Sequence, residues 1–196
     1  MALAHAQFSL WQRKPKFSLT LLRRLATSIS SQDSPQAQYL ALMKIISQHL
    51  SLNELRTALT FVDQLRDSSL QRQHSHVTLL SHVLRLQILI GGGFWSEAGF
   101  ATRVAEDALG LRYETTSTLV YNAPGSSPTY IDFEDRFESI MALHTLALSI
   151  IYYTVTGVSS ESSVRLSHLH ALLDAKALGC LGDGSIKVRH HNHLSL

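Results

Sequence analysis

The chain has 196 residues, of which 45% are hydrophobic and only 16% charged, and this composition excludes an intrinsically disordered protein. Seventeen Lys and Arg residues against 15 Asp and Glu give a formal net charge of +2, too small to indicate direct nucleic-acid binding. The single cysteine, Cys180, has no partner within the chain, so a reducing compartment such as the cytoplasm or nucleus is expected.

The first 32 residues contain no acidic side chain. Five basic residues lie there among Ser, Leu and Ala: Arg13, Lys14, Lys16, Arg23 and Arg24. Because mitochondrial transit peptides share this composition, the mitochondrion is one expected location. We favour two short helices instead, with the basic residues on a solvated face or against an acidic partner.

Apolar residues recur at three- and four-residue spacing along nearly the whole chain, which predicts an all-α protein. The predicted helices, in chain order, cover 2–13, 16–30, 35–50, 53–67, 74–90, 95–109, 133–156 and 160–178. Asp33 or Ser34 is expected to cap the helix with Pro35 in its first turn, and Asp132 the helix that starts at Phe133.

Three stretches between or within these helices carry further signals. The run Gly91 to Gly93 predicts a tight helix-helix turn, since glycine adopts left-handed backbone angles at little cost. Residues 110–132 are rich in Thr, Ser, Pro and Gly and predict a loop insertion, and 179–196 a flexible tail. The most apolar stretch, 140–157, is interrupted by polar residues, so we expect a core helix and no membrane span.

A degenerate repeat joins the helices into pairs. Gly93, Trp95, Ala98 and Ala105 match the second helix of a TPR unit, in which small side chains let the helices of a hairpin approach closely. A weaker copy contains Ala58, and a third begins at Gly157 with Ser162 and Leu169. Ala58 and Ala98 are 40 residues apart, whereas the TPR period is about 34. The predicted fold is a TPR-like, right-handed superhelix of antiparallel hairpins over 1–178.

Two segments of this domain resemble a known family. The run LALMKIISQHLSLNELRTALTFVDQLRDSSLQRQHSHVTLLSHVLRLQILIGGGFWSEA, followed by FEDRFESIMALHTLALSIIYYTVTGVSSESSVRLSHLHALLDAKAL, resembles the middle of the small TPR-superhelix subunit of the cohesin-loading complex, fungal type. The similarity covers about residues 37 to 178 and lies in helix order, spacing and scattered residues: Leu42, Leu59, Gln64, Leu84, Leu86, Gln87, Ala171 and Leu172. Members of that family are much longer, so this chain would be a fragment or a truncated form.

The resemblance implies a non-enzymatic scaffold in the nucleus. In that family the subunit wraps the N-terminal segment of the large loader subunit and supports cohesin loading onto chromatin for sister chromatid cohesion. The implied partner is therefore a protein segment, with indirect association with chromatin and cohesin. The small net charge and the lack of an uninterrupted apolar span add the expectation of no direct nucleic-acid partner and no membrane partner.

In the TPR register, the inner groove of such a superhelix is lined by first-helix positions. These predicted partner-binding residues are Met43, Ser47, Val83, Gln87, His144 and Thr154. Gln87 would meet the backbone of an extended peptide, and Met43 and Val83 would give apolar contact.

No residue set predicts catalysis, a cofactor or a metal. Three histidine groups were considered as metal ligands: His74 with His76, His168 with His170, and His190, His191 and His193. Helical residues two apart point about 200° away from each other, so the first two pairs cannot chelate from one helix face. The carboxylate pairs Glu134 with Glu138 and Glu97 with Glu106 are better explained by helix dipoles and ion pairs.

Two other classes of protein fit the pattern. One is the helical regulatory domain of a fungal transcription factor, disfavoured because no cysteine-rich zinc cluster is present. The other is a mitochondrial TPR-like protein, which predicts a mature N-terminus near Thr27 in cells.

Overall fold

The structure is a computed structural model that describes residues 2–29, 34–111, 113, 133 and 135–174. These residues contain no strand and are 84% helical, which confirms the predicted all-α class. The eight helices are α1 (Ala2–Trp11), α2 (Pro15–Ser28), α3 (Pro35–Ser51), α4 (Leu55–Gln71), α5 (Ser75–Gly91), α6 (Trp95–Ala108), α7 (Arg136–Val155) and α8 (Ser159–Asp174). Most of the predicted loop at 110–132 and the whole tail at 179–196 lie outside the described residues.

Six of these helices end in the same hydrogen-bonded turn. In each, a residue with positive φ follows the helix: Arg13, Asn53, Gln73, Gly93, Gly110 and Gly157. At α3, for example, the Asn53 N–H donates to the Leu50 carbonyl (3.0 Å) and the Glu54 N–H to the His49 carbonyl (2.9 Å). This is the Schellman arrangement, which satisfies carbonyls at a helix end. Where the next helix begins directly after this turn, three residues connect the two helices.

The glycine run at the end of α5 shows this turn with its preferred residue. Gly91 is the last residue of the helix, Gly93 has φ of +70°, and α6 begins at Trp95. The Phe94 N–H donates to the Leu89 carbonyl at 2.8 Å. The predicted turn therefore depends on one glycine of the three for its left-handed backbone.

Two boundaries inside the described residues differ from prediction by three residues or more. The cap of α7 is Asp135, whose carboxylate accepts the Phe137 N–H at 2.9 Å, so the prediction that Asp132 caps a helix starting at Phe133 is wrong. α4 runs to Gln71 and not to Asp67, because Ser69 is buried and its hydroxyl bonds the Arg66 carbonyl (2.7 Å) and the Thr78 hydroxyl (2.7 Å). Ser34 occupies the cap position of α3 without a side-chain cap bond.

Helices α2 to α6 begin at 20-residue intervals, at Pro15, Pro35, Leu55, Ser75 and Trp95. Burial repeats with every second helix: Ser18, Ala58 and Ala98 are all buried, and so are Leu22, Val62 and Thr102. The hairpin period is thus 40 residues, longer than the period of about 34 of a TPR.

The chain forms two compact units, Met1–Ile88 and Leu89–Leu196, a division inside the predicted domain that the sequence pattern does not indicate. In the first unit, α1, α2 and α3 share a core cluster of Ala6, Leu19, Leu22 and Ile45. Polar bonds reinforce it, since the Ser18 hydroxyl donates to the Ala6 carbonyl and the Gln48 amide to the Pro15 carbonyl, both at 2.8 Å. α4 and α5 are joined by Arg85, which donates to Asp63 at 2.7 Å.

In the second unit, α6 and α7 approach closely at Gly99. A Cβ at this position would collide with the Tyr152 hydroxyl and lie 3.0 Å from its ring carbon Cζ. α7 and α8 run antiparallel, as the bond between the Thr154 and Ser162 hydroxyls (3.0 Å) and the contact of Tyr153 with Arg165 require. Glycine at position 99 therefore allows the tyrosine to pack on α6.

Candidate peptide-binding cleft

A cleft of about 480 Å³ opens between α2 and α4 in the first unit, with α3 beneath it. Its volume lies within the range of about 300 to 1,000 Å³ found for ligand pockets. The lining residues are Arg23, Ala26, Thr27, Gln38, Leu42, Ile45, Phe61, Gln64, Asp67, Ser68 and Gln71. All of them belong to one compact unit, so the cleft is a feature of that unit alone.

The floor of this α2–α4 cleft is apolar and held rigidly. Leu42 and Ile45 are buried, and Phe61 packs against the core cluster. The Phe61 ring also stacks on the buried His49 ring at 5.3 Å between centroids, with an angle of 14°. A floor built in this way suits an apolar side chain inserted from outside.

His49 also positions the cationic side of the cleft. The Arg23 guanidinium donates to His49 Nε2 at 3.3 Å, and His49 Nδ1 lies 2.6 Å from the Glu54 carboxylate. Since an arginine can only donate, we assign the Nδ1–H tautomer to His49, which then donates to Glu54. This chain of bonds fixes the direction of the Arg23 side chain at the rim.

Three glutamines line the polar part of the cleft. Gln64 and Gln71 are exposed, and the Oε1 atom of Gln38 is buried and accepts no hydrogen bond from the described residues. A glutamine amide both donates and accepts, as does each peptide unit of an extended chain. The cleft therefore combines an apolar floor with side chains able to bond a peptide backbone.

The predicted groove residues lie elsewhere. Ser47 and Gln87 are exposed at equivalent positions of α3 and α5, 40 residues apart, while Met43 is half-buried. Val83 is only 4% exposed, so its side chain lies in the core. In the second unit, His144 and Thr154 are exposed on α7.

On α3, the predicted groove and the α2–α4 cleft use different faces. At about 100° per residue, Met43 and Ser47 point roughly 140° to 180° away from Gln38. Ser47 instead lines a smaller cleft of about 230 Å³ beside α1, together with Gln7, Leu10 and Lys44. Two residues of the family resemblance, Leu42 and Gln64, lie on the larger cleft.

The predicted helix-packing residues are mostly in the core. Ala58, Ala98 and Ala105 are completely buried, and Trp95 is half-buried in the first turn of α6. In the third copy of the repeat, Gly157 has φ of +79°, and Ser162 and Leu169 are half-buried.

A buried ion pair in the second unit was not predicted from sequence. Arg165 donates two bonds to Glu106, at 2.7 and 2.9 Å, and a third to Glu161 at 2.6 Å. Its guanidinium carbon lies 4.1 Å from the ring centroids of both Tyr113 and Tyr153. We name this group the Arg165 cluster (Arg165, Glu106, Glu161, Tyr113 and Tyr153).

The Arg165 cluster shifts the titration of its neighbours. Burial, reinforced by the Glu106 carboxylate, raises the pKa of Tyr113, and burial also raises the pKa of Tyr153. Burial, with the nearby Arg165 charge, lowers the pKa of His168. The cluster is closed by its own bonds and joins α6, α8 and Tyr113, which indicates a structural role.

Two of the other residues weighed from sequence bond to other side chains. Glu106 bonds Arg165, and His74 Nδ1 lies 2.9 Å from the Tyr39 hydroxyl. His168 packs edge-on against Tyr113, whereas His170 is exposed. Glu134, Cys180, His190, His191 and His193 lie outside the described residues.

Within the described part of the chain, α7 is long and apolar enough to cross a membrane by length and composition. A single helix of this kind is weak evidence for a membrane span, because the core helix of a soluble protein passes the same test; 33% of its most apolar window is buried. Its buried residues include Met141, Ala142, Thr145, Leu146 and Ser149, at the spacing of one helix face.

No protein-family model matches this chain, and no curated protein or solved structure matches it significantly. The resemblance to the small cohesin-loader subunit therefore stays a prediction from the sequence.

Proposed function

We propose that this protein is a non-enzymatic scaffold that binds an extended segment of another protein in the α2–α4 cleft. The observation that carries the proposal is the cleft itself, which places the exposed amides of Gln64 and Gln71 beside an apolar floor. An extended segment presents backbone N–H and C=O groups as well as side chains. The glutamine amides of the cleft would bond the backbone groups, and the apolar floor would accommodate a side chain.

The finer proposal follows the family resemblance. The chain is a segment of a TPR-like superhelix with a 40-residue hairpin period, and its partner is the N-terminal segment of the large subunit of the cohesin loader. It acts in the nucleus, without a cofactor or metal, in cohesin loading for sister chromatid cohesion. The regular three-residue turns and repeated burial support the helical repeat.

The test is calorimetric titration of the whole chain with a peptide of that N-terminal segment. Two exposed threonines of α2 provide a matched pair of variants: Thr27 lines the cleft and Thr20 does not. Within the described part of the chain, each hydroxyl bonds a carbonyl of its own helix. We expect Thr27→Trp to fill the cleft and abolish binding, while Thr20→Trp binds like the wild type.

A milder pair of variants on α4 tests the polar contacts. Gln64→Ala is expected to weaken binding about fivefold, the effect of one net hydrogen bond of roughly 1 kcal/mol, and Thr60→Ala to leave it unchanged. Gln87→Ala reports on the predicted groove face of α5. If Gln87→Ala loses binding while Thr27→Trp retains it, the peptide binds to the predicted groove face of α5 and not in the α2–α4 cleft. If the folded wild type does not bind the peptide, the proposed partner is wrong.

A further inference from the structure

The α1–α2 hairpin carries a second surface, at the end where its turn lies. Between positions 8 and 17, eight of ten side chains are exposed, among them Phe8, Leu10, Trp11 and Phe17. Trp11 is 81% exposed, and its ring lies 5.9 Å from that of Phe8. We name residues 8–17 the hairpin tip.

Large apolar side chains are rarely left in water at this density without a partner. Leu3 and Leu21, also on α1 and α2, pack against the core cluster, so the hairpin has apolar residues enough to anchor itself. The aromatic residues of the tip are therefore additional to those needed for folding.

The charged side chains of the hairpin tip are all basic. Arg13, Lys14 and Lys16 are all exposed, the described residues provide no ion pair to any of them, and no acidic residue precedes Asp33 in the sequence. Lys14 and Lys16 also line an open cavity of about 590 Å³, together with Ser9, Gln12 and Phe17. Two ammonium groups beside hydroxyl and amide groups form a suitable environment for a phosphate.

From this arrangement we propose that the hairpin tip binds the surface of an anionic phospholipid bilayer. Trp11, Phe8 and Phe17 enter the interfacial layer, where aromatic rings are favoured, and the basic residues meet lipid phosphates and anionic headgroups. Apolar insertion and a basic patch together provide the two signals that stable peripheral binding needs. This differs from the expectation of no membrane partner, which considered only spanning segments.

The first experiment is flotation of the whole chain with vesicles of phosphatidylcholine alone or mixed with phosphatidylserine. We expect binding only to the mixed vesicles, weaker at about 1 M salt, where the screening length is roughly 3 Å. Lys14→Glu with Lys16→Glu should reduce binding at least tenfold, because each cation near the surface contributes roughly fivefold.

The matched control is Arg24→Glu with Arg103→Glu, which changes the net charge equally at two exposed positions outside the cavities that tip residues line. It should bind like the wild type. Trp11→Ala should weaken binding several-fold, and the emission of Trp11, identified by comparison with Trp11→Phe, should shift to the blue on binding. Helical circular dichroism of every variant establishes that it is folded.

Equal binding by the two charge-reversal variants would overturn the proposal, and so would binding to neutral vesicles or an unchanged Trp11 emission. Absence of vesicle binding by the folded wild type would also overturn it, and would leave a protein partner as the occupant of the tip. None of these outcomes depends on the α2–α4 cleft, which is tested separately.

Discussion

Arg165 is nearly fully buried, and its charge is neutralised by Glu106, whose side chain is buried to a similar degree. Such a pair adds little stability over well-packed apolar residues, but removing one partner leaves an uncompensated charge in the core. We therefore expect Arg165→Met and Glu106→Leu each to lower the free energy of unfolding by about 3 kcal/mol.

Together, Arg165→Met and Glu106→Leu should cost clearly less than the sum of the single changes, because neither charge then remains unpaired. Urea denaturation of the four proteins measures this coupling. Arg103→Met, at an exposed position of α6, is the control and should change stability by no more than about 0.5 kcal/mol. Additive single effects would contradict the proposed structural role of the cluster.

The raised pKa of Tyr113 makes stability depend on alkaline pH. The folded state holds the phenol proton more tightly than the unfolded state, whose tyrosines titrate near pH 10. Its contribution is thus fully present below about pH 10 and is lost as pH rises above that value.

In Tyr113→Phe this dependence disappears. Above pH 10 we expect the unfolding free energy of the wild type to fall more steeply than that of the variant, by about 1 kcal/mol per pH unit. Parallel curves for the two proteins would show that Tyr113 is not protected from titration.

Among the helix ends, the sequence pattern identifies turns best where the left-handed residue is glycine. Gly93 and Gly157 were predicted at turns, whereas Asn53 was predicted to begin α4 and Arg13 to end α1. These two residues are polar and lie next to helical sequence, so the pattern alone does not separate them from a first or last helical turn. Tertiary packing brings them into left-handed geometry despite a cost of about 1 to 2 kcal/mol per residue.

Two glycines at the end of α5 should respond oppositely to the same substitution. Gly93 has φ of +70°, so Gly93→Ala should lower stability by about 1 kcal/mol through backbone strain. Gly91 is helical, and a Cβ there meets no atom of the described residues within 4 Å, so Gly91→Ala should raise stability by about 0.5 to 1 kcal/mol.

Thermal unfolding followed by circular dichroism measures both changes. Because the substitutions are identical in chemistry and two residues apart, a shared sign would contradict the assignment of the turn to Gly93 alone.

At the scale of the whole molecule, the helices could be predicted because their apolar spacing is regular and their prolines and glycines mark the ends. The α2–α4 cleft could not, because it depends on which helices become neighbours and on which face each one turns inward. The groove prediction took its positions from the TPR register, and it could not tell that Val83 is buried in the core while Met43, at the equivalent position of α3, is half-buried.

The Arg165 cluster was not predicted from the sequence, for a related reason. Arg165 and Glu106 are 59 residues apart, on α8 and α6, and neither has a local pattern that indicates burial. Charged residues on helices are normally solvated, so only the packed structure identifies this pair as internal.

The most direct test of the central claim is site-specific photo-crosslinking in cells. A benzoylphenylalanine is placed at Gln64, at Gln87 or at the control position Leu70, which is exposed on α4 and points about 120° away from Gln64, and the captured peptides are identified by mass spectrometry. The account predicts that position 64 captures the N-terminal segment of the large cohesin-loader subunit and that position 70 does not. Capture of that segment from position 87 alone, or from none of the three positions, would contradict it.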